Sequence, residues 1–272
     1  MNNPISTNKH QFGTRKFGRV NWLGLHTLYK KEVMRFITIY LQTVVAPVIS
    51  MMLFLAIFTI SIGEFRAEIN GIKFAAFIVP GLIMNAMMQN AFANNSSSLL
   101  LGKVQGNIVD ILMPPISAGE LMFALTMGGV TRGIVVGFAT GIVMALVVDT
   151  NIYNLGAIIL FGFLGSMVMS LMGMLAGIWA EKFDHLNMVT TFIITPAKFL
   201  SGTFYSINQL PDFAKTITQF NPFYYLIDGF RYGFIGQSES NIYVTILVSV
   251  STCIILWSWA YYLIQKGYRL KS

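Results

Sequence analysis

The sequence predicts an all-α membrane protein: six transmembrane helices, an N-terminal interfacial helix, a short cytoplasmic helix and an outer re-entrant helical hairpin. Three observations lead there. First, 55% of the 272 residues are hydrophobic and only 11% are charged, against roughly 25% in a soluble domain. That leaves too little polar surface to cover a globule in water. Second, six runs are apolar over the roughly 20 residues that a span needs. Third, Lys and Arg gather on one side of those runs.

The chain, residues 1–272, reads as a single membrane domain: a cytoplasmic N-terminus (1–36), six spans (37–264) and a cytoplasmic tail (265–272). The first 36 residues are polar and basic and show no signal-peptide pattern. Within them, WLGLHTLYKKEVMRF (22–36) repeats apolar residues at near-helical spacing. Trp22 and its apolar companions suit the bilayer interface, and Lys30, Lys31 and Arg35 suit anionic headgroups. An ordinary positively flanked span start fits the same residues.

The expected spans are 37–62, 74–98, 121–148, 156–180, 188–205 and 242–264. Span two is unusually polar: Asn85, Gln89, Asn90, Asn94, Asn95, Ser96, Ser97 and Ser98 fill a broad sector of it. That sector must face protein or water. A translocation path and interhelical hydrogen bonding both account for Asn85, Gln89, Asn90 and Asn94. Span three carries Gly129, Gly133, Gly137 and Gly141 at strict four-residue spacing. This makes a flat strip for close helix packing, within the chain or against a second subunit. Arg132 borders it near the expected cytoplasmic end, placed to snorkel or to meet Asp110 or Glu120.

Between spans two and three lies GKVQGNIVDILMPPISAGEL (102–121). Its helix, 107–112, is stopped by Pro114 and Pro115 and projects toward a partner protein. EKFDHLN (181–187) lies on the same side. Residues 206–241 are aromatic and amphipathic. Pro211 and Pro222 divide them into two helical pieces, 209–219 and 223–235, which either dip into the outer leaflet or anchor at its surface. Within NPFYYLIDGFRYGFIG (221–236), Asp228 and Arg231 stand three apart on one helix face. An ion pair between them would make each charge tolerable at that depth.

Orientation follows from charge. Twelve Lys and Arg fall on the side of the termini and five on the other, Arg132 being inside a span. Both termini are expected in the cytoplasm. The formal charge of +7 therefore reads as span-flanking charge rather than a nucleic-acid surface. The lone Cys253 forms no internal disulfide, and the three His have no metal-ligand spacing. No GxxxxGK[ST] and no HExxH occur, and FLSGTF (199–204) lacks the leading glycine of a nucleophilic-serine motif. Catalysis by this chain is not expected, and neither is a metal site.

The interfacial helix, the six spans, VDILMPPISAGEL, LSGTFYSINQLP (200–211) and NPFYYLIDGFRYGF (221–234) together resemble a permease subunit of the ABC-2 type transporter family. The likeness covers residues 20–270. It implies a second permease subunit, most simply a homodimer, and two copies of a separate ATPase chain that holds ATP and Mg. This chain would bind no cofactor itself. It implies ATPase coupling through Asn107, Asp110, Ile111, Leu112, Pro114, Pro115 and Glu120, with 107–112 as the coupling helix and 22–36 as the connecting helix. It implies an outer re-entrant hairpin that includes Asn221, Pro222, Tyr225, Asp228 and Arg231. The implied function is ATP-driven export of a drug, lipid or polysaccharide-type molecule across a bacterial inner membrane, by alternating access or a gated channel. The other readings are an ion-coupled secondary transporter, an intramembrane enzyme and a non-catalytic assembly subunit.

Overall fold

A helix bearing eight amide and hydroxyl side chains cannot face lipid along its length. The computed structural model, which describes residues 20–63, 68–69 and 71–269, puts that helix in the middle. Lys9, Arg15, Lys16, Arg19, Arg66 and Lys271, counted above for orientation, lie outside the described residues. The chain begins with α1 (Trp22–Thr38). A π-helical turn (Leu41–Val45) then leads into α2 (Ala46–Gly63). Two two-residue strands, β1 (Glu68–Ile69) and β2 (Ile72–Lys73), pair antiparallel. They open the polar helix α3 (Phe74–Val104).

The one-turn α4 (Ile108–Leu112) leads to α5 (Ala118–Ala145) and α6 (Leu155–Trp179). Next come α7 (Phe183–Val189), a π-helical turn (Thr190–Ile194) and α8 (Thr195–Phe199). A 3-10 turn (Ile207–Gln209), α9 (Asp212–Gln219) and α10 (Pro222–Ile235) follow, and α11 (Ile242–Lys266) closes the described chain.

Among the described residues, five helices are long and apolar enough to cross a membrane: Leu41–Ser61, Phe74–Val104, Ala118–Ala145, Leu155–Trp179 and Ile242–Lys266. The all-α membrane expectation holds. The expected fifth span, 188–205, takes a different form. Its helical run begins earlier, at Phe183, and stops at Phe199. Those 17 residues rise about 26 Å, short of the roughly 30 Å hydrocarbon core. Residues 200–206 continue in irregular backbone.

Small residues let α3 be enclosed. On α5, a Cβ at Gly133 would lie 2.9 Å from the Met87 carbonyl oxygen and 2.8 Å from Ser166 Oγ. One at Gly137 would overlap the Met87 side chain, and one at Gly129 would overlap Ser170 Oγ. The four-residue glycine strip is therefore used within this chain, against α3 and α6. From the other side α6 presses Gly173 against the Phe92 backbone and Gly177 against Leu99. Close approach through glycine is how helices associate where lipid removes the hydrophobic drive.

Two ends can be distinguished. The 102–121 loop, the α6–α7 turn and the C-terminus of α11 share one end with α1. There Lys103 Nζ donates to the Ile178 and Ala180 carbonyls, and Arg269 donates to the Trp179 carbonyl. The other end is capped by α9 and α10. Asn221 caps α10, and the Tyr153 and Asn154 amides donate to the Gly233 carbonyl.

The contacts predict a difference between two glycines. Gly173→Ala would drive a methyl into the Phe92 backbone and should cost about 1–3 kcal/mol. Gly141→Ala meets only Ile83 Cδ1, at 3.7 Å, and should be neutral. Thermal unfolding of the detergent-purified variants, followed by size-exclusion fluorescence, checks both.

Candidate functional site

Enclosure of α3 is nearly complete. From Phe77 to Leu100 the only residues that are not buried are Gln89, Ala93 and Ser97. They stand four apart, so they form one strip along the helix. The sequence places Asn85, Gln89, Asn90 and Asn94 in one broad polar sector, and the structure separates them. Gln89 is open. Asn85, Asn90 and Asn94 are buried.

Asn90, Asn94 and Asn95 join helices. Asn95 Nδ2 donates to Ser170 Oγ at 2.8 Å and to the Ser170 carbonyl at 3.0 Å, and Ser170 Oγ donates to the Thr126 carbonyl. Helices α3, α5 and α6 are thus tied at one level. Asn90 Nδ2 donates to the Ala86 carbonyl of its own helix, and its Oδ1 accepts from Arg132 Nη2 at 3.1 Å. This corrects the expectation for Arg132. It sits at the middle of the 28-residue α5, not near an end. It neither snorkels nor meets a carboxylate, because an amide on the facing helix reaches it first.

A second correction concerns α1. Arg35 does not point to headgroups. It pairs with Glu32 at 2.9 Å and donates to the Asn94 carbonyl at 2.7 Å and to Ser97 Oγ at 3.2 Å. Glu32 is fully buried and also accepts from Ser98 Oγ at 2.8 Å and Asn94 Nδ2 at 3.4 Å. Sequence reasoning missed Glu32. The signal is the spacing Leu28, Glu32, Phe36, which are the buried residues of α1. A carboxylate four residues from an apolar neighbour on each side shares their face. Gly128 makes room for it, since a Cβ there would stand 2.7 Å from Glu32 Cβ. Trp22, Lys30 and Lys31 are exposed.

The loop after α3 is built to project. Ile108 roots α4 in an apolar cluster with Leu28, Leu99 and Leu121. Val109, Asp110, Met113, Pro114 and Pro115 are exposed, Met113 by 77%. Asn107 caps α4 without a side-chain hydrogen bond to it. Ile111 and Leu112 belong to α4, and their side chains lie outside the described set. Glu120 closes a capping box with Ser117 at the start of α5. Its other oxygen accepts the Asn21 amide at 2.6 Å, while Asn21 Nδ2 donates to the Pro115 carbonyl at 3.1 Å. The N-terminus of α1 is thereby fastened to the projecting loop.

At the opposite end, Asp228 and Arg231 do not pair. Asp228 accepts from Ser238 Oγ at 2.6 Å and from the Glu239 and Ser240 amides at 3.0 and 3.3 Å. Arg231 donates to the Gly202 carbonyl at 2.7 Å, and its guanidinium carbon lies 4.0 Å from the Phe77 ring centroid. The loop after α10 folds back onto Asp228, and the irregular 200–206 offers bare carbonyls to Arg231. Each charge thus satisfies a different loop. Pro222 starts α10, Asn221 Nδ2 donates to the Ala197 carbonyl, and Tyr225 Oη donates to the Gln219 carbonyl. α9 leaves Phe213, Ile217 and Phe220 exposed along one side, Phe220 by 85%.

The model of one protein family, described as ABC-2 type transporter, matches residues 24–235. The chain belongs to the ABC-2 type transporter family. It is similar to the inner membrane transport permease YadH of Escherichia coli K12, with 36% identity over 251 residues, 92% of this chain and 98% of that one. It is also similar to nodulation protein J of Rhizobium leguminosarum bv. viciae, 23% identical over 253 residues, 88% of this chain and 95% of the relative. Nodulation protein J of Rhizobium meliloti is 21% identical over 216 residues, 78% and 80% of the two chains. This ABC-2 chain is therefore a transport permease with several membrane-crossing helices.

Two outcomes are expected from the charges. Glu32→Ala leaves Arg35 without its counter-charge and should destabilise the chain by about 3 kcal/mol or more, seen as a lower thermal midpoint. Asp228→Ala and Arg231→Ala should each destabilise by about 1–3 kcal/mol. The swapped pair Asp228→Arg/Arg231→Asp should recover none of it, because the partners are separate. Recovery in the double variant would show a direct pair.

Proposed function

We propose that this chain is the permease subunit of an ATP-driven exporter in the bacterial inner membrane. It works with a second permease subunit, most simply a copy of itself, and with two copies of a separate P-loop ATPase that holds ATP and Mg. The observation that carries this reading is the projecting tip. Val109 and Met113 are large apolar side chains held in solvent beside Asp110. The diproline makes the tip stiff, and Ile108 fixes its root. A tip of that kind fits a groove on a partner protein.

In the same reading Phe183–Phe199 with the stretch after it makes a sixth crossing. α9 and α10 form an outer re-entrant hairpin, and both termini are cytoplasmic. The irregular backbone at 200–206 is acceptable at membrane depth because Arg231 satisfies its carbonyls. Asn107, Asp110, Ile111, Leu112, Pro114 and Pro115 then form the ATPase contact, with Glu120 linking it to α1. Two tethers make α1 a lever. Asn21 is held at the tip and, about 17–21 Å along, Glu32 and Arg35 are held at the open strip of α3. Nucleotide binding acts by favouring one arrangement of this lever over another. Transported molecules of the drug, lipid or polysaccharide type pass along that strip, where the second permease faces it.

A pull-down in mild detergent tests the assembly. The chain should bring down a stoichiometric P-loop ATPase. Val109→Asp/Met113→Asp should cut that yield about tenfold, the effect of losing a small apolar anchor, with the amount of permease unchanged. A chain that purifies alone and moves solute down an ion gradient would sink the exporter reading.

A further inference from the structure

The open strip on α3 is lined by cations. Lys198 Nζ, reaching over from α8, donates to Gln89 Oε1 at 3.2 Å at the first of its three positions. Arg35 donates to Ser97 at the third. Between them Arg132 holds Asn90, the neighbour of Gln89. Gln89 and Asn90 lie halfway along the 31-residue helix. Three cations thus hang on one side of a membrane helix, two of them halfway along it and Arg35 about two turns further on.

Their counter-charge is incomplete. Among the described residues Glu32 is the carboxylate that pairs with Arg35, and neither Arg132 nor Lys198 makes an ion pair. Three positive groups face one negative group. Arg35 and Arg132 are near enough for the charge of one to oppose that of the other. Each also has a buried Nε–H with no hydrogen-bond partner. Cations inside a membrane are costly unless something anionic meets them, and unused guanidinium donors suit an oxyanion. The strip is reachable, since Gln89, Ala93 and Ser97 are the residues of α3 left uncovered over that length.

We propose that Arg132, Arg35 and Lys198 form an oxyanion-binding site on the α3 strip, and that the exported molecule carries a phosphate or carboxylate group there. The site rests on the transport reading for its purpose, but not for its binding chemistry. Amide partners on α3 hold the cations apart while the site is empty. An arriving oxyanion takes the free Nε–H groups and supplies the missing charge. Glu32 keeps Arg35 in place and stops the strip from binding anions too tightly to release them.

The test uses the full-length chain in phosphatidylcholine nanodiscs, with its co-purifying ATPase and without nucleotide. Three probes are titrated: dodecyl phosphate, dodecyl maltoside and inorganic phosphate. Dodecyl phosphate should bind saturably and at least about tenfold more tightly than dodecyl maltoside, the scale of one charge-assisted hydrogen bond. Arg132→Gln and Lys198→Gln should each weaken it by about tenfold, while Arg132→Lys keeps most of the binding. Competition by millimolar inorganic phosphate would identify the site's ligand as a small anion. No competition would identify it as an amphiphile's head group.

Thermal midpoints without probe show which variants fold. If Arg132→Gln does not, Lys198→Gln decides, because its side chain lies at the open edge. Equal binding of the two dodecyl compounds, or unchanged dodecyl phosphate binding in the folded Gln variants, overturns the site. Charge-selective binding by a chain that brings down no ATPase would overturn the transport reading and leave the site standing. An ATP-hydrolysing complex indifferent to head-group charge would overturn the site alone.

Discussion

Everything in this fold depends on satisfying one polar helix inside a solvent that offers no hydrogen bonds. α3 brings amides and hydroxyls to membrane depth, so its neighbours must come close and bring partners. Glycines on α5 and α6 permit the approach, and Ser170, Thr126 and Arg132 supply the bonds. Neither provision works alone. Bulky residues at Gly133 or Gly173 would hold the helices apart, and the Asn95–Ser170–Thr126 relay would lose its geometry. Apolar residues in place of that relay would leave Asn95 Nδ2 unpaired in the core, at a cost of about 1–3 kcal/mol.

The same demand explains why α1 is part of the bundle. An amphipathic helix lying in an interface needs no buried carboxylate. α1 has one, and Glu32 fits because Gly128 leaves space for its stem while Ser98, Asn94 and Arg35 occupy both oxygens. Its exposed face still carries Trp22, Lys30 and Lys31. α1 thus has two unlike sides, an exposed basic one and a polar seam.

Much of this was legible in the sequence, for physical reasons. Apolar runs of span length, a glycine every fourth residue on span three and paired prolines after a short helix are local signals. They gave the all-α membrane class and five of the spans. What sequence could not supply was pairing across helices. Asp228 and Arg231 at i,i+3 suggested an ion pair, but Ser238 and the Glu239 amide capture the carboxylate from a loop ten residues on. Arg132 was expected near a span end because snorkelling is a local rule, whereas Asn90, forty-two positions away, decides where it points. The fifth span takes a different form for a related reason. The expected span runs on to residue 205, but the helix stops at Phe199; three residues later Gly202 adopts a left-handed φ of 71° and its carbonyl meets Arg231.

The charges left over carry the functional weight. Two cations elsewhere among the described residues lie away from the open strip of α3: Arg231 rests on the Gly202 carbonyl and an aromatic ring, with its own Nε–H unpartnered, and Arg269 on a carbonyl and Glu181. Arg132, Lys198 and Arg35 differ. They hold on to neutral amides and hydroxyls, only Arg35 among them has a carboxylate, and they stand beside the part of α3 that stays uncovered. A purely structural seam at this depth would be cheaper with neutral residues, because a desolvated cation is repaid only by a strong partner. Two cations without an ion pair beside an open strip fit the passage of an anion. The strip also adjoins the far tether of α1, at Glu32 and Arg35. A displacement of the projecting loop would move the groups that hold Arg35, and with them the charge that such an anion meets.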